Sequence, residues 1–160
     1  MSSELNLDHN DIHSTVETRE FVTATLDKQL FGVPVLSVQD VLGPQKLANI
    51  PLAPNEVAGA LNLRGRIVTA IDLRRRLGLP PADKAKSMSI VVDHYGELYS
   101  LLIDEVGEVL SVPVKDYERN PPTLDPRWRD VSGGIYRLDG RLMVFLEVDR
   151  LLDFARPAAA

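Results

Sequence analysis

One hairpin pattern occurs twice in this chain, and an internal repeat of that size limits the possible folds more than any other feature. The stretch Gly59-Ala-Leu-Asn-Leu-Arg-Gly-Arg-Ile-Val-Thr-Ala-Ile-Asp-Leu-Arg74 joins two apolar strands through an Arg-Gly turn. About 75 positions later, Gly133 to Arg150 repeats it, with Arg66 matching Arg141, Ile71 matching Leu146, Asp72 matching Glu147 and Arg75 matching Arg150. The second turn reads as one residue longer. A second echo relates Phe31–Leu42 to Ser100–Leu110 at an offset of about 68, each run ending in an acidic residue followed by Val-Leu. Units of this length need a neighbour to bury their apolar faces, so two related halves are expected.

The strand signals fill most of both halves. Glu20–Leu26 alternates and turns at Asp27-Lys28. Ser87–Asp93 pairs with Leu98–Ile103 across Tyr95-Gly96, and Gly134–Leu138 pairs with Arg141–Leu146 across Asp139-Gly140. Runs rich in Val, Ile and Leu between such turns read as an all-β barrel or sandwich. Two short segments break the alternation, Leu73–Leu77 and Val148–Phe154. Their apolar residues four apart read as brief helices closing a barrel end. Asp125-Pro126 before Arg127-Trp128-Arg129 reads as a capped helical turn. The expected organisation is a polar leader over 1–19, one domain over 20–154 built of two pseudo-repeated barrels with a crossover near 78–87, and a tail over 155–160.

Chemistry is harder to find. A formal charge of −5 argues against general attraction to phosphates, and the absence of cysteine removes thiolate chemistry and disulfides. No apolar run approaches a membrane span and the acidic start lacks a secretory signal, so a soluble cytoplasmic protein with no direct membrane insertion is expected. Asp72 and Asp104 each end an apolar strand and read as cap or turn residues rather than an acid–base pair. His9 and His13 lie in the leader and His94 reads as a turn residue, so no metal and no cofactor is expected. Arg74, Arg75 and Arg76 read as the solvated face of the short helix. Arg64, beside Gly65, has two readings: it reaches a carboxylate within the fold, or it projects as a fork for a partner.

Asn62-Leu-Arg-Gly-Arg-Ile67 leading to Ile71-Asp-Leu-Arg74, with Ile50-Pro51 and Val57-Ala-Gly59 before it and Ile103-Asp-Glu-Val106 to Val109-Leu110 after it, resembles the CheW family of chemotaxis coupling proteins. The resemblance runs from Phe21 to Leu152. It implies two intertwined five-stranded SH3-like barrels around a shared core, and the stand-alone form of the coupling protein. It also implies an adaptor without catalytic activity, which couples the cytoplasmic tip of methyl-accepting chemoreceptors to the regulatory domain of the histidine kinase CheA. Such a protein is recruited to membrane-associated receptor arrays.

Carried over residue by residue, the resemblance implies a receptor groove drawing on Val35, Val38, Asp40, Val106 and Val109. Gly59 and Arg64 fall at positions important for coupling. The kinase edges fall at Val41, Leu42, Leu47 and Ile50 on one half, and at Tyr117, Arg119 and Thr123 on the other, an arrangement suited to rings that alternate with kinase domains. Thr69, Ser100 and Asp40 depart from the residues common in the family. Three alternatives remain: a coupling protein of a chemosensory pathway other than motility, a nucleic-acid-binding barrel using Arg64 and Arg74–Arg76, and a hydrolytic enzyme built on Asp72 and Asp104.

Overall fold

A computed structural model of the chain describes residues 17–82 and 87–155. The strands are β1 (Thr18–Leu26), β2 (Gln29–Pro34), β3 (Val38–Leu42), β4 (Val57–Leu63), β5 (Arg66–Asp72), β6 (Met88–His94), β7 (Glu97–Ile103), β8 (Glu105–Pro113), β9 (Tyr117–Glu118), β10 (Ser132–Leu138) and β11 (Arg141–Leu146). Three helical segments, α1 (Leu73–Leu77), α2 (Pro126–Arg129) and α3 (Val148–Leu151), interrupt them. The fold is all-β with short helices, as expected. The segment after α3 is not one continuous helix, because a 3-10 turn over Asp153–Ala155 takes over.

The strands form two sheets, ordered β8-β1-β2-β11-β10-β9 and β3-β6-β7-β5-β4. Superposing the repeat on these orders reveals one pattern used twice. β1, β2, β11 and β10 of the first sheet occupy the places of β6, β7, β5 and β4 in the second. Both sheets contain one parallel pairing at the same place, β11 with β2 and β5 with β7. The sixth element of the first sheet is the two-residue β9, and its counterpart in the second is a single bridge, Ala48 to Ala60. The five strands expected of each barrel are therefore present in both, with one extra edge contact apiece.

The halves of the chain are not the two sheets. β3, from the first half, pairs with β6 of the second, and β8, from the second, pairs with β1 of the first. Each half thus keeps only its opening hairpin apart, and its third and later strands join the sheet begun by the other half's hairpin. A bulge marks each exchanged strand at the same point, opposite Val22/Ala24 in β8 and between Val38 and Asp40 in β3. One extra residue there bends the strand and alters which face its side chains meet.

The exchange divides the apolar residues into three clusters. The largest takes residues from both sheets and the helices, including Val22, Phe31, Ile90, Leu101, Val144 and Leu151. A second, inside the first sheet, stacks Phe21 against Tyr136 and Phe145 with ring centroids 5.4 Å apart in each pair. The third lies inside the second sheet and is aliphatic, built on Leu61, Val68, Ala70, Val91 and Leu98. This explains why β1 reads as alternating yet is buried on both sides, with Phe21 facing the small core and Val22, Ala24 and Leu26 the shared one.

Turns close the hairpins as their residues dictate. Asp27-Lys28, Arg64-Gly65 and Tyr95-Gly96 all have positive φ at both central positions, which matches the right-handed twist of the flanking strands. Side-chain oxygens hold two of them: Gly65 N donates to Asn62 Oδ1 at 2.9 Å and Gly96 N to Asp93 Oδ1 at 3.0 Å. The second copy of the repeated hairpin does not have a longer turn. Leu63 faces Arg66 and Leu138 faces Arg141, leaving two residues between them in both copies. The structural counterpart of Gly59 is Gly134, 75 positions on like Arg141 after Arg66, and not Gly133.

Of the three helical arginines expected to form a solvated face, only Arg75 is exposed. Asp72 caps α1 by accepting from Arg75 N, and Gly78 ends it in the left-handed conformation with Leu79 N donating to Arg74 O at 2.7 Å. Arg74 then turns inward, and its Nε and Nη2 donate to the two oxygens of Asp104 at 3.2 and 2.7 Å. Asp104 also accepts from Asp27 N at 2.8 Å, so one carboxylate joins the first hairpin turn, α1 and the point where the chain crosses from β7 to β8. That hydrogen bond to Asp104 holds the Arg74 guanidinium above its usual pKa. Arg76 donates to the carbonyls of Leu151 and Arg150 at 2.7 and 3.0 Å, tying α1 to α3. Arg75 reaches Asn55 O, and its repeat mate Arg150 reaches Ser132 O.

Removing Arg74 should therefore loosen the junction. Fully buried pairs lose about 3–5 kcal/mol when one partner is deleted. The side chains of Arg74 and Asp104 are 15% and 30% exposed, so solvent screening reduces the expectation for Arg74→Ala to about 2 kcal/mol in urea unfolding. Asp104→Ala in the same background should add little further loss. An unchanged urea midpoint in Arg74→Ala would show that the network contributes nothing.

Candidate functional site

The two expected kinase edges occupy equivalent places in the two sheets. On the second sheet, Ala48 bridges to Ala60 of β4 through hydrogen bonds of 2.8 and 2.9 Å. On the first, Tyr117 and Glu118 of β9 pair with Tyr136 and Ile135 of β10. A glycine lies under each contact, 75 positions apart, with φ of +151° at Gly59 and +137° at Gly134. A Cβ at Gly59 would stand 2.6 Å from Ala48 O and 2.9 Å from the Leu47 Cβ, and one at Gly134 would enter the Tyr117 ring. Both positions combine a backbone angle that side chains resist with a neighbour that leaves no room for one. Gly59 is thus a packing residue buried beneath the edge, against Leu47 and Ala48.

The named edge residues divide by burial. Val41 is exposed on β3, while Leu42 and Leu47 are half-buried against the aliphatic core and Ile50 is half-buried in the following loop. Tyr117 is partly exposed, yet its hydroxyl donates to Gly133 O at 2.6 Å and its ring meets Tyr136 edge-on at 6.0 Å. Arg119 and Thr123 are exposed in the loop that follows β9. Apolar side chains here cover the small cores and border solvent at once.

Of the expected groove residues, Val35, Val38 and Val106 are half-buried and pack against the shared core, while Val109 is 57% exposed. Val38 and Val106 are repeat mates, facing Val92 and Ala24 at the two bulges. The structure also brings together two residues that the sequence reading held apart. Arg64 Nη2 lies 3.0 Å from Asp40 Oδ2, with the arginine side chain 77% exposed. Asp40 Oδ1 accepts from Val41 N at 2.8 Å, whereas its buried Oδ2 has no aligned hydrogen-bond donor. The first reading of Arg64 holds, since it pairs with a carboxylate within the fold, and most of its side chain faces solvent.

Four exposed apolar side chains were given no role in the sequence analysis: Leu36, in the 3-10 turn Val35–Ser37; Leu52, at a φ of +62°; Ile67, near the start of β5; and Val114, just after β8. Leu52 was signalled by its place in the turn between Pro51 and Pro54, where no strand could turn it inward.

Other candidates have structural occupations. Asp72 caps α1 and Asp104 holds Arg74, and both border a cavity of about 10 Å³. His94 is not a turn residue. It ends β6 buried, with Nδ1 3.4 Å from Asp149 and its ring edge-on to Tyr95 and Tyr99. His9 and His13 lie outside the described residues. Among the described residues no group of three His, Cys, Asp or Glu could hold a metal ion, and no helix is long and apolar enough to cross a membrane. The arginine cluster disperses into separate contacts, Arg64 to Asp40 and Arg74 to Arg76 into the fold.

Known proteins share this architecture. The chain is 30% identical to the probable chemotaxis protein CheW of Rhizobium etli over 89% of its own length and 92% of the relative's. It is 28% identical to Protein PilI of Pseudomonas aeruginosa over 73% of this chain and 66% of that protein. The crystal structure of the scaffolding protein TtCheW from Thermoanaerobacter tengcongensis superposes with a TM-score of 0.77 at 28% identity, covering 86% of this chain and 94% of that one. A family model described as CheW-like domain matches residues 20–156, and the chain belongs to the CheW-like domain family.

Proposed function

We propose that this protein is a chemotaxis scaffold that couples the cytoplasmic tips of chemoreceptors to the regulatory domain of the kinase CheA. The observation that carries the reading is the pair of equivalent sheet edges, one around Leu47 and Ala48 and one around Tyr117 and Glu118, on a body whose sheets share strands. A body with two such edges can hold one neighbour on each side without deforming, and sheet edges offer backbone groups for a partner strand. The protein acts by binding and carries out no reaction of its own. It works at the cytoplasmic face of the membrane, where the receptors place their tips.

Within this reading, the receptor docks along the exchanged strands. Val109 offers exposed apolar area, Val35, Val38 and Val106 form its floor, and the Asp40–Arg64 pair sits at its polar end. Arg64 meets the partner with donors left over from Asp40. The likeness to PilI, whose name does not refer to chemotaxis, favours a second reading in which the same scaffold serves a chemosensory pathway other than motility.

Calorimetric titration against the CheA regulatory domain and a receptor-tip fragment from the same organism tests both contacts. The unaltered protein should bind each saturably. Arg64→Ala should leave stability within about 0.5 kcal/mol, because an exposed ion pair contributes little, while weakening receptor binding about tenfold, as expected for a lost charge-assisted contact of ~1.4 kcal/mol. Val109→Glu should weaken the receptor contact at near-normal stability, since its side chain is already largely in water. Tyr117→Ala should instead weaken kinase binding and also lower stability, because its hydroxyl and ring are both used within the fold. Absence of saturable binding to either partner by the unaltered protein would remove the proposal.

A further inference from the structure

The internal repeat allows each feature of one sheet to be compared with its counterpart in the other, and one such comparison is unequal. In the second sheet, the open end of the small aliphatic core is bordered by Leu42, Leu63 and Leu98 and spanned by the Asp40–Arg64 ion pair. In the first sheet, the equivalent end is bordered by Leu110, Leu138 and Leu30, and it opens as a cavity of about 450 Å³. The residue in Asp40's place is Glu108, which keeps the carboxylate. The residue in Arg64's place is Asp139, which reverses the charge. No guanidinium from the turn can therefore close this mouth as Arg64 closes its twin.

The rim charge follows from that substitution. Glu105, Glu108 and Asp139 line the cavity together with a single cation, Arg141. The bulge in β8 shapes the wall, with Thr23 Oγ1 donating to Glu108 O at 2.6 Å and fixing the strand beside it. Beneath the rim the floor is apolar. The volume falls in the range of about 300–1,000 Å³ found for ligand pockets. Val106 is the one residue this mouth shares with the proposed receptor groove.

The geometry points to the mouth of the first barrel as a docking site for an arginine that a partner protein presents beside an aliphatic side chain. The twin site shows what the chemistry accepts, a guanidinium held at 3.0 Å from the carboxylate over a leucine-lined floor. Here the guanidinium comes from outside. Glu108 and Asp139 receive it, as carboxylates and a planar fork match in geometry, and Leu30, Leu110 and Leu138 take the neighbouring aliphatic group. Docking also relieves the repulsion among the three rim carboxylates.

The test uses the full chain and the peptide Ac-Leu-Arg-Leu-NH2, followed by amide chemical shifts, with Ac-Leu-Glu-Leu-NH2 as the reversed-charge control. Saturable shifts confined to residues 23–25, 105–110 and 138–141 are expected, with a Kd of about 1 mM or tighter, and at least fivefold weaker binding of the control. Asp139→Arg installs the twin's residue in an exposed turn. It should abolish the peptide response while the protein stays folded. Glu108→Gln keeps the shape and should weaken binding severalfold. No saturable response in those segments, or equal binding by Asp139→Arg, overturns the proposal. Neither kinase nor receptor enters the experiment, so its outcome is separate from that of the scaffold reading.

Discussion

Everything in this molecule depends on the exchange of β3 and β8. Each is an outer strand, and each finds its hydrogen-bonding partner in a hairpin from the other half of the chain. A barrel cut out along the sequence repeat would keep only its opening hairpin in that sheet, because both neighbours of that hairpin come from the other half. The shared core follows from the same fact. Strands crossing between the sheets carry apolar residues that have to be buried where the sheets meet, and the largest cluster lies there. The Arg74–Asp104 pair stands at one of the two crossings and fixes the angle at which the chain leaves one sheet for the other.

Once a pattern is duplicated, its copies can diverge while the backbone stays the same. Phe21, Tyr136 and Phe145 fill one small core, and the equivalent places in the other hold Ser89, Leu61 and Ala70. The bulky set suits the sheet whose edge carries Tyr117, the slighter set the sheet whose edge carries Leu47. The rims differ in the same way, a paired cation and acid on one and three acids with a single arginine on the other. Two equivalent frames thus present two distinct surfaces, which a scaffold needs if its two neighbours are to be different molecules.

Much of this was legible in the letters. The repeated hairpin, the glycine-bearing turns, the caps at Asp72 and Asp125 and the strand content all depend on contacts between residues close in sequence, and short-range physics dictates them. The resemblance carried by Asn62-Leu-Arg-Gly-Arg supplied the family. The strand exchange itself was beyond local reasoning, because β3 is locally as fit to pair with its own hairpin as with β6. The bulges were hidden for the same reason. Arg74–Arg76 misled because three adjacent arginines on a short helix look like a wetted face. Only the position of Asp104, 30 residues on, shows that one of them turns inward. Asp40 and Arg64 were each singled out, yet their contact required knowing that the turn after β4 lies over the bulge of β3.

Strand exchange also bears on how the chain comes into being. During synthesis β1 and β2 emerge long before their neighbours, so the first hairpin waits with both flanks uncovered, the β1 side until β8 is made and the β2 side until β11. β3 in turn waits for β6. Such distant pairings delay the productive contacts, and the waiting edges are open to whichever β8 arrives first. In a crowded nascent population that strand can belong to a neighbouring chain as readily as to its own. The interlocking that makes the finished molecule a single rigid tile leaves it, while unfinished, one step from being stitched to its sister.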